Sequence, residues 1–366
     1  MPRQLNSAGI RELDTARRPF VLIWEVTQAC ELACKHCRAD AQRRRHPMEL
    51  TTEEAMSLLD DIASFGKDQI LVLSGGDPLF RPDLFDILAY GRDIGLQMTL
   101  TPSGTSSLTP AVIKDIADLD VRRLALSLDG ASAARHDAFR QEDGSFASTI
   151  AAAEAAGDHN LPLQINTTVC QETVDELPDV SGLVSELGAV LWSVFFLVPV
   201  GRGQALEPVS PERAESVMEW LLTAGRELDL SIKTTEAPHY RRVALQSQHH
   251  QSDSSRTVTE SIDRRSGIGA GDGFAFISHT GDVFPSGFLP HAVGNVREES
   301  IVDIYREAPL FQQLRDTDML QGKCGACEFR QICGGSRSRA YATTGDPLAS
   351  DPLCPYQPTT GTVQSD

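Results

Sequence analysis

Apolar and polar positions alternate regularly from residue 20 to residue 226. A short apolar run at 20–27 is followed by a segment at 51–65 in which Ala55, Leu58 and Ile62 fall on one helical face. Thr51 and Glu54 have capping-box spacing, which predicts that this helix begins there. The same pattern predicts further strands at 69–73, 97–100, 123–128, 162–169 and 190–198. It predicts further helices at 82–93, from 109–110, at 145–156, at 177–187 and from 210–211.

Six strand-then-helix units indicate an α/β fold built on a parallel sheet. Parallel strands are buried on both faces, so they read as continuous apolar runs, as these do. A doubly wound sheet and a partial barrel both remain open on this pattern alone. In either fold, the loops that follow the strands lie at one edge of the sheet and carry the ligand site.

The remaining segments differ in composition. Residues 246–273 are polar and rich in glycine, which is typical of a mobile loop and also of a tolerated surface linker. Residues 274–284 predict a hairpin with its turn at 280–282. The predicted organisation is an extension, a barrel, a connecting segment, a small cysteine-rich domain and a tail. In that order, these five segments span residues 1–19, 20–226, 227–273, 274–356 and 357–366.

Charge and composition exclude several classes of function. The 366 residues are 41% apolar and 23% charged, values that favour a folded chain over a disordered one. A formal charge of -18 argues against sequence-independent binding to nucleic acid or to an anionic membrane. The sequence predicts neither a membrane span nor a secretion signal, so we expect a cytoplasmic protein. In that compartment the eight cysteines indicate metal ligands or buried thiols rather than structural disulfides.

Cys30, Cys34 and Cys37 follow the first predicted strand with C-x3-C-x2-C spacing. Three thiolates on one loop can hold three irons of a 4Fe-4S cube, and the fourth iron then has no protein ligand. Such an open position lets a metal centre bind a small molecule, whereas a structural site closes itself with four ligands. The alternative is a zinc site completed by His36 or His46.

Four further cysteines lie near the carboxyl end, at Cys324, Cys327, Cys333 and Cys354. Their spacing is compatible with a zinc ribbon and with a fully ligated iron-sulfur cluster. The eighth cysteine, Cys170, ends an apolar strand and is interpreted as a buried thiol.

The first cysteine motif resembles that of the radical S-adenosylmethionine (SAM) enzymes, and residues 74–78, Ser-Gly-Gly-Asp-Pro, resemble their GGE-type motif with aspartate in place of glutamate. The resemblance implies a partial (β/α)6 TIM-like barrel, a SAM-binding 4Fe-4S cluster and bound SAM. It further implies that SAM contacts come from residues near the strand ends. These are Gly75, Gly76, Asp77, Ser103, Ser127, Asp129, Arg140, Asn166, Pro199 and Gly201. For the residues beyond the glycine motif, a capping, turn or surface role is an equally good interpretation.

The second cysteine group resembles the SPASM/Twitch extension of these enzymes, which holds auxiliary clusters. Ser286 and Ser336 stand where a second auxiliary cluster would need cysteines. The resemblance therefore implies one auxiliary 4Fe-4S cluster, ligated by all four cysteines and suited to electron transfer.

The implied reaction is reductive cleavage of SAM to a 5'-deoxyadenosyl radical, which removes hydrogen from a substrate. The carboxyl-terminal motifs resemble the tetrapyrrole-modifying branch, which includes heme synthases, siroheme decarboxylases and heme d1 maturation enzymes. That branch implies oxidative decarboxylation or side-chain modification of a heme-type tetrapyrrole, with a ferredoxin or flavodoxin as electron donor. No catalytic acid or base is assigned.

A peptide maturase of the SPASM class is the alternative enzyme, although residues 1–19 are too short for its usual recognition domain. A zinc-stabilised binding scaffold is the distant alternative. Five arginines are candidates for binding substrate carboxylates, and an ordinary surface or ion-paired role is the competing interpretation for each. They are Arg202, Arg241, Arg242, Arg337 and Arg339.

Overall fold

The computed structural model describes residues 14–66, 68–249 and 268–359. Within these ranges no helix is both long enough and apolar enough to cross a membrane.

One ten-stranded sheet organises the fold. Its order is β10-β9-β8-β1-β2-β3-β4-β5-β6-β7, and every pair from β8 to β7 is parallel. The strands from β1 to β7 are Val21–Glu25, Ile70–Ser74, Gln97–Leu100, Leu124–Ser127, Leu163–Val169, Leu191–Phe196 and Ile232–Thr235. The remaining strands are β8, β9 and β10, at Phe274–Ile277, Asp282–Phe284 and Gly294–Asn295. The sheet does not close, so it is a partial barrel.

Helices cover the outer face of the sheet. Helices α1 to α8 are Thr52–Ser64, Leu84–Asp93, Pro110–Asp118, Ala133–Arg140, Ser145–Asp158, Leu177–Glu186, Pro211–Glu227 and His239–His249. Helices α9 to α12 are Ile301–Glu307, Pro309–Arg315, Gly322–Gly325 and Arg337–Thr344. The capping box predicted for α1 is present, since Thr51 and Glu54 each bind the other's backbone N–H.

The main core lies between the sheet and these helices. Leu22 and Trp24 of β1 are fully buried there, together with Leu59 and Ile62 of α1. Burying each such side chain contributes roughly 1.5–3 kcal/mol, so the core holds the strands in a fixed register. The loops at the carboxyl ends of the strands are therefore held at one mouth of the barrel.

The predicted strands and their order of alternation with helices are confirmed, as is the hairpin of β8 and β9. Two differences concern the sheet, which continues past residue 226 into β7 and gains β8 beside β1, beyond the six predicted units. Helix α4 was not predicted because its sequence, Ala-Ala-Arg-His-Asp-Ala-Phe-Arg, has little apolar periodicity. Much of the predicted loop at 246–273 lies outside the described residues, as do most of 1–19 and 357–366, and the domain limits stay predictions.

Candidate functional site

Cys30, Cys34 and Cys37 lie on the loop between β1 and α1, at the mouth of the barrel. Each sulfur accepts a hydrogen bond: Cys30 from the N–H of Leu32 at 3.3 Å, Cys37 from that of Ala41 at 3.5 Å, and Cys34 from Arg140 Nη1 at 3.6 Å. All three are free thiols. Sulfurs that accept hydrogen bonds are suited to carry the negative charge of metal-bound thiolates.

Burial raises the pKa of the Cys30 thiol to about 11, and burial also raises the pKa of Cys34. Without a metal these groups keep their protons at neutral pH, and binding of iron has to release them. The donor set therefore fits a soft metal centre that is buried and held by one loop.

The histidines of the zinc alternative have other neighbours. The ring of His36 stacks on Phe139 with centroids 4.8 Å apart, and that of His46 meets His279 edge-on at 5.3 Å. Among the described residues no three cysteine, histidine or acidic side chains converge on the position of a single metal ion. A four-iron cube does not require such convergence, since each thiolate binds a different iron.

The loop after β2 packs directly against the cysteine loop. The N–H of Gly76 donates to the carbonyl of Thr27 at 2.8 Å, and that of Asp77 donates to Ala29 at 2.7 Å. A Cβ atom on Gly76 would lie 2.4 Å from the carbonyl oxygen of Ala29, so only glycine permits this approach. The predicted glycine motif thus brings Asp77 beside Cys30.

Asp77 is fully buried. Its Oδ1 accepts from the N–H groups of Leu79 and Ser103, while its Oδ2 has no hydrogen-bond partner among the described residues. Burial raises the pKa of Asp77 to about 6. Ser103 joins the same group, since its Oγ lies 3.4 Å from Cys30 Sγ and donates to the carbonyl of Gly76 at 3.1 Å. A buried carboxylate oxygen without a partner can accept a hydrogen bond from a bound ligand.

Asp129 and Arg140 form a buried ion pair next to Cys34. Arg140 Nη2 lies 2.6 Å from Asp129 Oδ2, and Asp129 Oδ1 accepts from the N–H of Thr168 at 2.6 Å. Burial alone would raise the pKa of Asp129, but Arg140 lowers it, so the carboxyl group is ionised. Burial likewise opposes the charge of Arg140, and Asp129 outweighs it and raises the pKa of the guanidinium.

The other predicted SAM contacts lie along the same mouth. Ser127 of β4 and Asn166 of β5 are register partners on neighbouring strands. The loop after β6 carries Pro199 and Gly201, and the next residue, Arg202, donates its N–H to the carbonyl of Cys37 at 3.0 Å. The structure thus brings the glycine motif, Ser103 and the Asp129–Arg140 pair around the cysteines, while the contacts of all ten residues with SAM stay predictions.

One polar group at the mouth was missed by the sequence analysis. Glu25, at the end of β1, accepts from Arg38 Nη2 at 2.8 Å and binds His279 Nδ1 at 2.7 Å. Burial opposes ionisation of Glu25, but Arg38 and His279 lower its pKa. A glutamate inside the apolar run 20–27 was the signal that could have indicated it.

Four phenylalanines lie beside this group. Phe276 of β8 has the guanidinium of Arg38 4.3 Å above its ring and Phe284 of β9 at 6.0 Å. Phe195 of β6 meets Phe288 at 6.5 Å, and the neighbouring Gly287 packs on Phe276. Phe195, Phe284 and Phe288 are only half-buried. This aromatic group, defined as Phe195, Phe276, Phe284 and Phe288, is suited to a flat, largely apolar molecule.

The four carboxyl-terminal cysteines lie on and around α11. Cys324 is buried, and its sulfur accepts from Arg337 Nη2 at 3.5 Å and from the N–H of Asp351 at 3.4 Å. Burial raises the pKa of Cys333 to about 12, and burial also raises the pKa of Cys327 and of Cys354. As at the first site, the thiols are free and supplied with donors, which fits metal ligation.

Ser286 and Ser336, which stand in place of cysteines, share one partner. Both hydroxyl groups donate to the carboxylate of Glu236, as does that of Ser338 at 2.9 Å. Glu236 follows β7 and has a left-handed backbone, with φ of 56°. A hydrogen-bonded carboxylate thus ties the segment after the hairpin and the start of α12 to the barrel.

The five candidate substrate arginines all have partners within the protein. Arg202 donates to the carbonyl of Cys34 and Arg241 to that of Ile332, while Arg242 pairs with Glu215. Arg339 pairs with the buried Asp351 at 3.2 Å, and Arg337 binds Cys324. These contacts favour the structural interpretation of all five.

Comparison with known families agrees with this geometry. Residues 24–184 match the radical SAM superfamily, a range that includes the first three cysteines. Residues 269–328 match the SPASM iron-sulfur cluster-binding domain. A relative from Methanosarcina barkeri, an AdoMet-dependent heme synthase, is 42% identical over 341 residues, covering 93% of this chain and 97% of the relative. The chain belongs to the radical SAM superfamily.

A second relative of this radical SAM enzyme is the AdoMet-dependent heme synthase of Nitratidesulfovibrio vulgaris, 38% identical over 96% of each chain. Among solved structures, SuiB of Streptococcus suis bound to its precursor peptide SuiA superposes with a TM-score of 0.72. It is 16% identical and covers 93% of this chain and 76% of its own, so it shows the fold alone.

Membership of the family carries its cofactors, a 4Fe-4S cluster with SAM and an iron-sulfur cluster in the SPASM domain. The match to the SPASM domain ends at residue 328. Ligation by Cys333 and Cys354 lies beyond this match, and ligation by all seven predicted cysteines stays a prediction.

Proposed function

We propose that this radical SAM enzyme decarboxylates propionate side chains of a heme-type tetrapyrrole, converting them to vinyl groups. The observation that carries the proposal is its similarity to two heme synthases along nearly their whole length, both cysteine regions included. A peptide substrate has less support, because the likeness to the peptide-binding SuiB is one of fold.

The aromatic group at the mouth of the barrel supports a flat substrate. Its four rings come from β6, β8, β9 and the turn after β9, and they form two pairs with centroids 6.5 and 6.0 Å apart. Arg38 adds a cation over Phe276 and directly follows Cys37. A macrocycle packed on these rings would lie beside Arg38, which is paired with Glu25, and near the first cysteine site.

In this proposal Cys30, Cys34 and Cys37 hold the cluster whose open iron binds SAM. When bound, the cluster and SAM supply one-electron cleavage of SAM and removal of a hydrogen atom from the substrate. The Oδ2 of Asp77, which has no partner among the described residues, would accept from the SAM ammonium group. The Nε of Arg140, which also has no partner among the described residues, is the donor left for the SAM carboxylate.

The remaining predicted contacts complete this arrangement. Gly75 and Gly76 bring their loop against the cluster, Ser103 orders Cys30 and Asp77, and Asp129 keeps Arg140 in position. Ser127 and Asn166, which are register partners, would contact the ribose, and the loop of Pro199 and Gly201 would contact the adenine.

The electron balance of the reaction gives the second cysteine site its role. After loss of one hydrogen atom, the propionate breaks its bond to the carboxylate, releases carbon dioxide, forms the vinyl double bond and leaves one electron. Cys324, Cys327, Cys333 and Cys354 would hold one auxiliary 4Fe-4S cluster, which would supply an acceptor for that electron. A ferredoxin or flavodoxin in the cytoplasm supplies the electron for SAM cleavage.

The test uses anaerobically purified enzyme with reductant, SAM and iron-coproporphyrin. We expect 5'-deoxyadenosine together with a porphyrin that has lost carbon dioxide and two hydrogens for each propionate converted, measured by mass spectrometry. SAM cleavage with the porphyrin bound but unchanged contradicts the proposal and favours another substrate, such as a precursor peptide. Tightly bound zinc without sulfide contradicts both cluster assignments.

A further inference from the structure

The two cysteine sites differ in how neighbouring positive charge is compensated. Around the first site, the buried and half-buried cations are ion-paired with carboxylates at 2.6–3.0 Å. The pairs are Lys35–Glu172, Arg38–Glu25, Arg140–Asp129 and Arg202–Asp40. Arg140, which donates to Cys34 Sγ, is thus neutralised by the adjacent Asp129.

At the second site, the arginine that donates to sulfur is not neutralised. Arg337 Nη2 lies 3.5 Å from Cys324 Sγ, and its other nitrogens donate to the carbonyls of Gly335, Pro347 and Ala349. Among the described residues no carboxylate oxygen lies within 4.0 Å of its guanidinium. Only 5% of Arg337 is exposed, so solvent screens its charge weakly.

The other charges around this site largely cancel. Asp351, whose N–H also donates to Cys324, pairs with Arg339, and Arg242 pairs with Glu215. Lys323 donates to the carbonyl of Cys354 and, within the described part of the chain, has no carboxylate partner. Among buried and half-buried groups, the second site therefore keeps a surplus of positive charge that the first site lacks.

The contact between Arg337 and Cys324 depends on a glycine. Gly335 has φ of +68°, and a Cβ atom there would lie 2.6 Å from Arg337 Nη2 and 3.0 Å from Cys324 Sγ. A side chain at position 335 would be strained by the positive φ and would crowd the guanidinium, the sulfur and the Cβ atom of Asp351. The geometry that places an uncompensated cation on this sulfur is thus built into the backbone.

Reduction of an iron-sulfur cluster adds one negative charge, and charge and hydrogen bonds at the sulfurs set its potential. We infer that Arg337 raises the reduction potential of the auxiliary cluster above that of the SAM-binding cluster, so that the auxiliary cluster takes the electron released by the substrate. The role of the auxiliary cluster as electron acceptor rests on the proposed function. The difference in reduction potential between the two clusters does not. The electron moves from the decarboxylating substrate to an oxidised 4Fe-4S cluster, which is reduced by one electron.

The first measurement needs no substitution. Full-length enzyme holding both clusters, without SAM or porphyrin, is titrated with redox mediators and followed by electron paramagnetic resonance. We expect two midpoint potentials, and a variant with Cys30, Cys34 and Cys37 all changed to Ala, which retains only the auxiliary cluster, identifies the higher one. An auxiliary potential equal to or below that of the SAM-binding cluster overturns the inference.

The second measurement tests Arg337 in that single-cluster background. Arg337→Gln keeps a donor and loses the charge, and we expect its reduction equilibrium constant to fall about tenfold, a shift of about 59 mV for one electron. Arg337→Lys keeps the positive charge, so we expect the reduction potential of the auxiliary cluster to stay close to that of the unaltered background. Arg330→Gln, which removes a surface cation paired with Asp318 in the same region, leaves the potential unchanged.

An unchanged potential in Arg337→Gln with its cluster intact overturns the inference, as does an equal shift in Arg330→Gln. If Arg337→Gln does not retain its cluster, Lys323→Gln decides instead, with a smaller shift in the same direction expected and no shift contradicting it. None of these titrations contains porphyrin. Failure of the enzyme to decarboxylate a porphyrin therefore refutes the proposed function without deciding the difference in potential.

Discussion

The two cysteine regions reach similar chemistry by different architecture. At the first, one loop after β1 carries all three ligands, and the ends of the neighbouring strands supply the polar groups around it. At the second, the cysteines span short helices and turns, and buried polar contacts involving Asp351, Arg339 and Glu236 hold these together. A sheet edge can present an open site, whereas a closed site without a sheet needs side chains to fix its ligands.

Removing one cysteine ligand from each site tests most strongly whether the two sites carry out different parts of the reaction. Cys34→Ala should abolish SAM cleavage, a loss of more than about a thousandfold, because the open-iron cluster cannot form. Cys324→Ala should retain SAM cleavage and lose vinyl formation. The measurement is 5'-deoxyadenosine and porphyrin product from the same reaction, with iron content as a check on cluster loading.

Cys170→Ala is the matched control, since this buried thiol belongs to neither cysteine group and its sulfur lies 3.5 Å from the hydroxyl oxygen of Thr173. It should leave both products and the iron content unchanged. Equal loss of SAM cleavage in Cys324→Ala and Cys34→Ala, with the first cluster still loaded, would show that the two sites do not divide the reaction.

The first region could be predicted from the sequence far more completely than the second. Its ligands are close in the chain, and Gly75, Gly76 and Asp77 follow a strand whose apolar run is unmistakable. Glu236 could not be predicted as a partner of Ser286 and Ser336, because these contacts join residues 50 and 100 positions apart. Local patterns report helices and strands, while such pairings depend on how whole elements pack.

Helix α4 and the ion pairs are further features that local sequence patterns could not predict. Arg140 lies in a helix with almost no apolar stripe, so its position beside Cys34 was not predictable from periodicity. Lys35 and Glu172 are 137 residues apart, and only the fold brings them together. The compensation of charge that distinguishes the two sites is therefore a property of tertiary structure.

The ion pair of the first region should be important for stability. Asp129→Asn leaves Arg140 buried without a countercharge, which should lower the free energy of unfolding by about 3–5 kcal/mol. The measurement is urea unfolding of the cluster-free protein. Asp118→Asn, which breaks the exposed pair with Lys114, should have little effect, and an equally small effect of Asp129→Asn would contradict a paired, buried Arg140.

Asp77 should make SAM binding depend on pH. Its raised pKa of about 6 means that the carboxyl group becomes neutral below that pH and loses its attraction for the SAM ammonium group. Affinity should then fall by up to about tenfold for each pH unit below 6, measured by equilibrium binding between pH 5 and 8. Glu31 and Cys30 are the neighbouring charged or titratable groups, and cluster loading must be the same at each pH.

Asp77→Asn should bind SAM more weakly at pH 7 and remove this dependence on pH. Glu31→Gln is the control, because Glu31 raises the pKa of Asp77 from a distance without occupying the site. A pH dependence that persists in Asp77→Asn would assign the titrating group to another residue.

The smallest expected effect concerns the surface over the first cysteine loop. The carbonyl of Gln42 accepts from the N–H of Cys30 at 2.8 Å, and the next two residues, Arg43 and Arg44, are exposed on a chain of charge -18. Met48, on the same loop, is 58% exposed. An acidic electron carrier that meets these cations comes close to the SAM-binding cluster, and opposite charges speed such encounters at low salt.

Arg43→Glu with Arg44→Glu should therefore slow cluster reduction by an acidic flavodoxin severalfold at low salt, and the difference from the unaltered enzyme should shrink as salt is added. Stopped-flow absorbance measures the rate. SAM cleavage driven by dithionite should stay unchanged, because that small reductant needs no docking surface. Arg226→Glu, on α7, is the charge-matched control. If it slowed cluster reduction equally, the slowing would be due to the net charge of the protein and not to a docking surface. Slowing that also appears with dithionite would instead mean that the loop over Cys30 had been damaged.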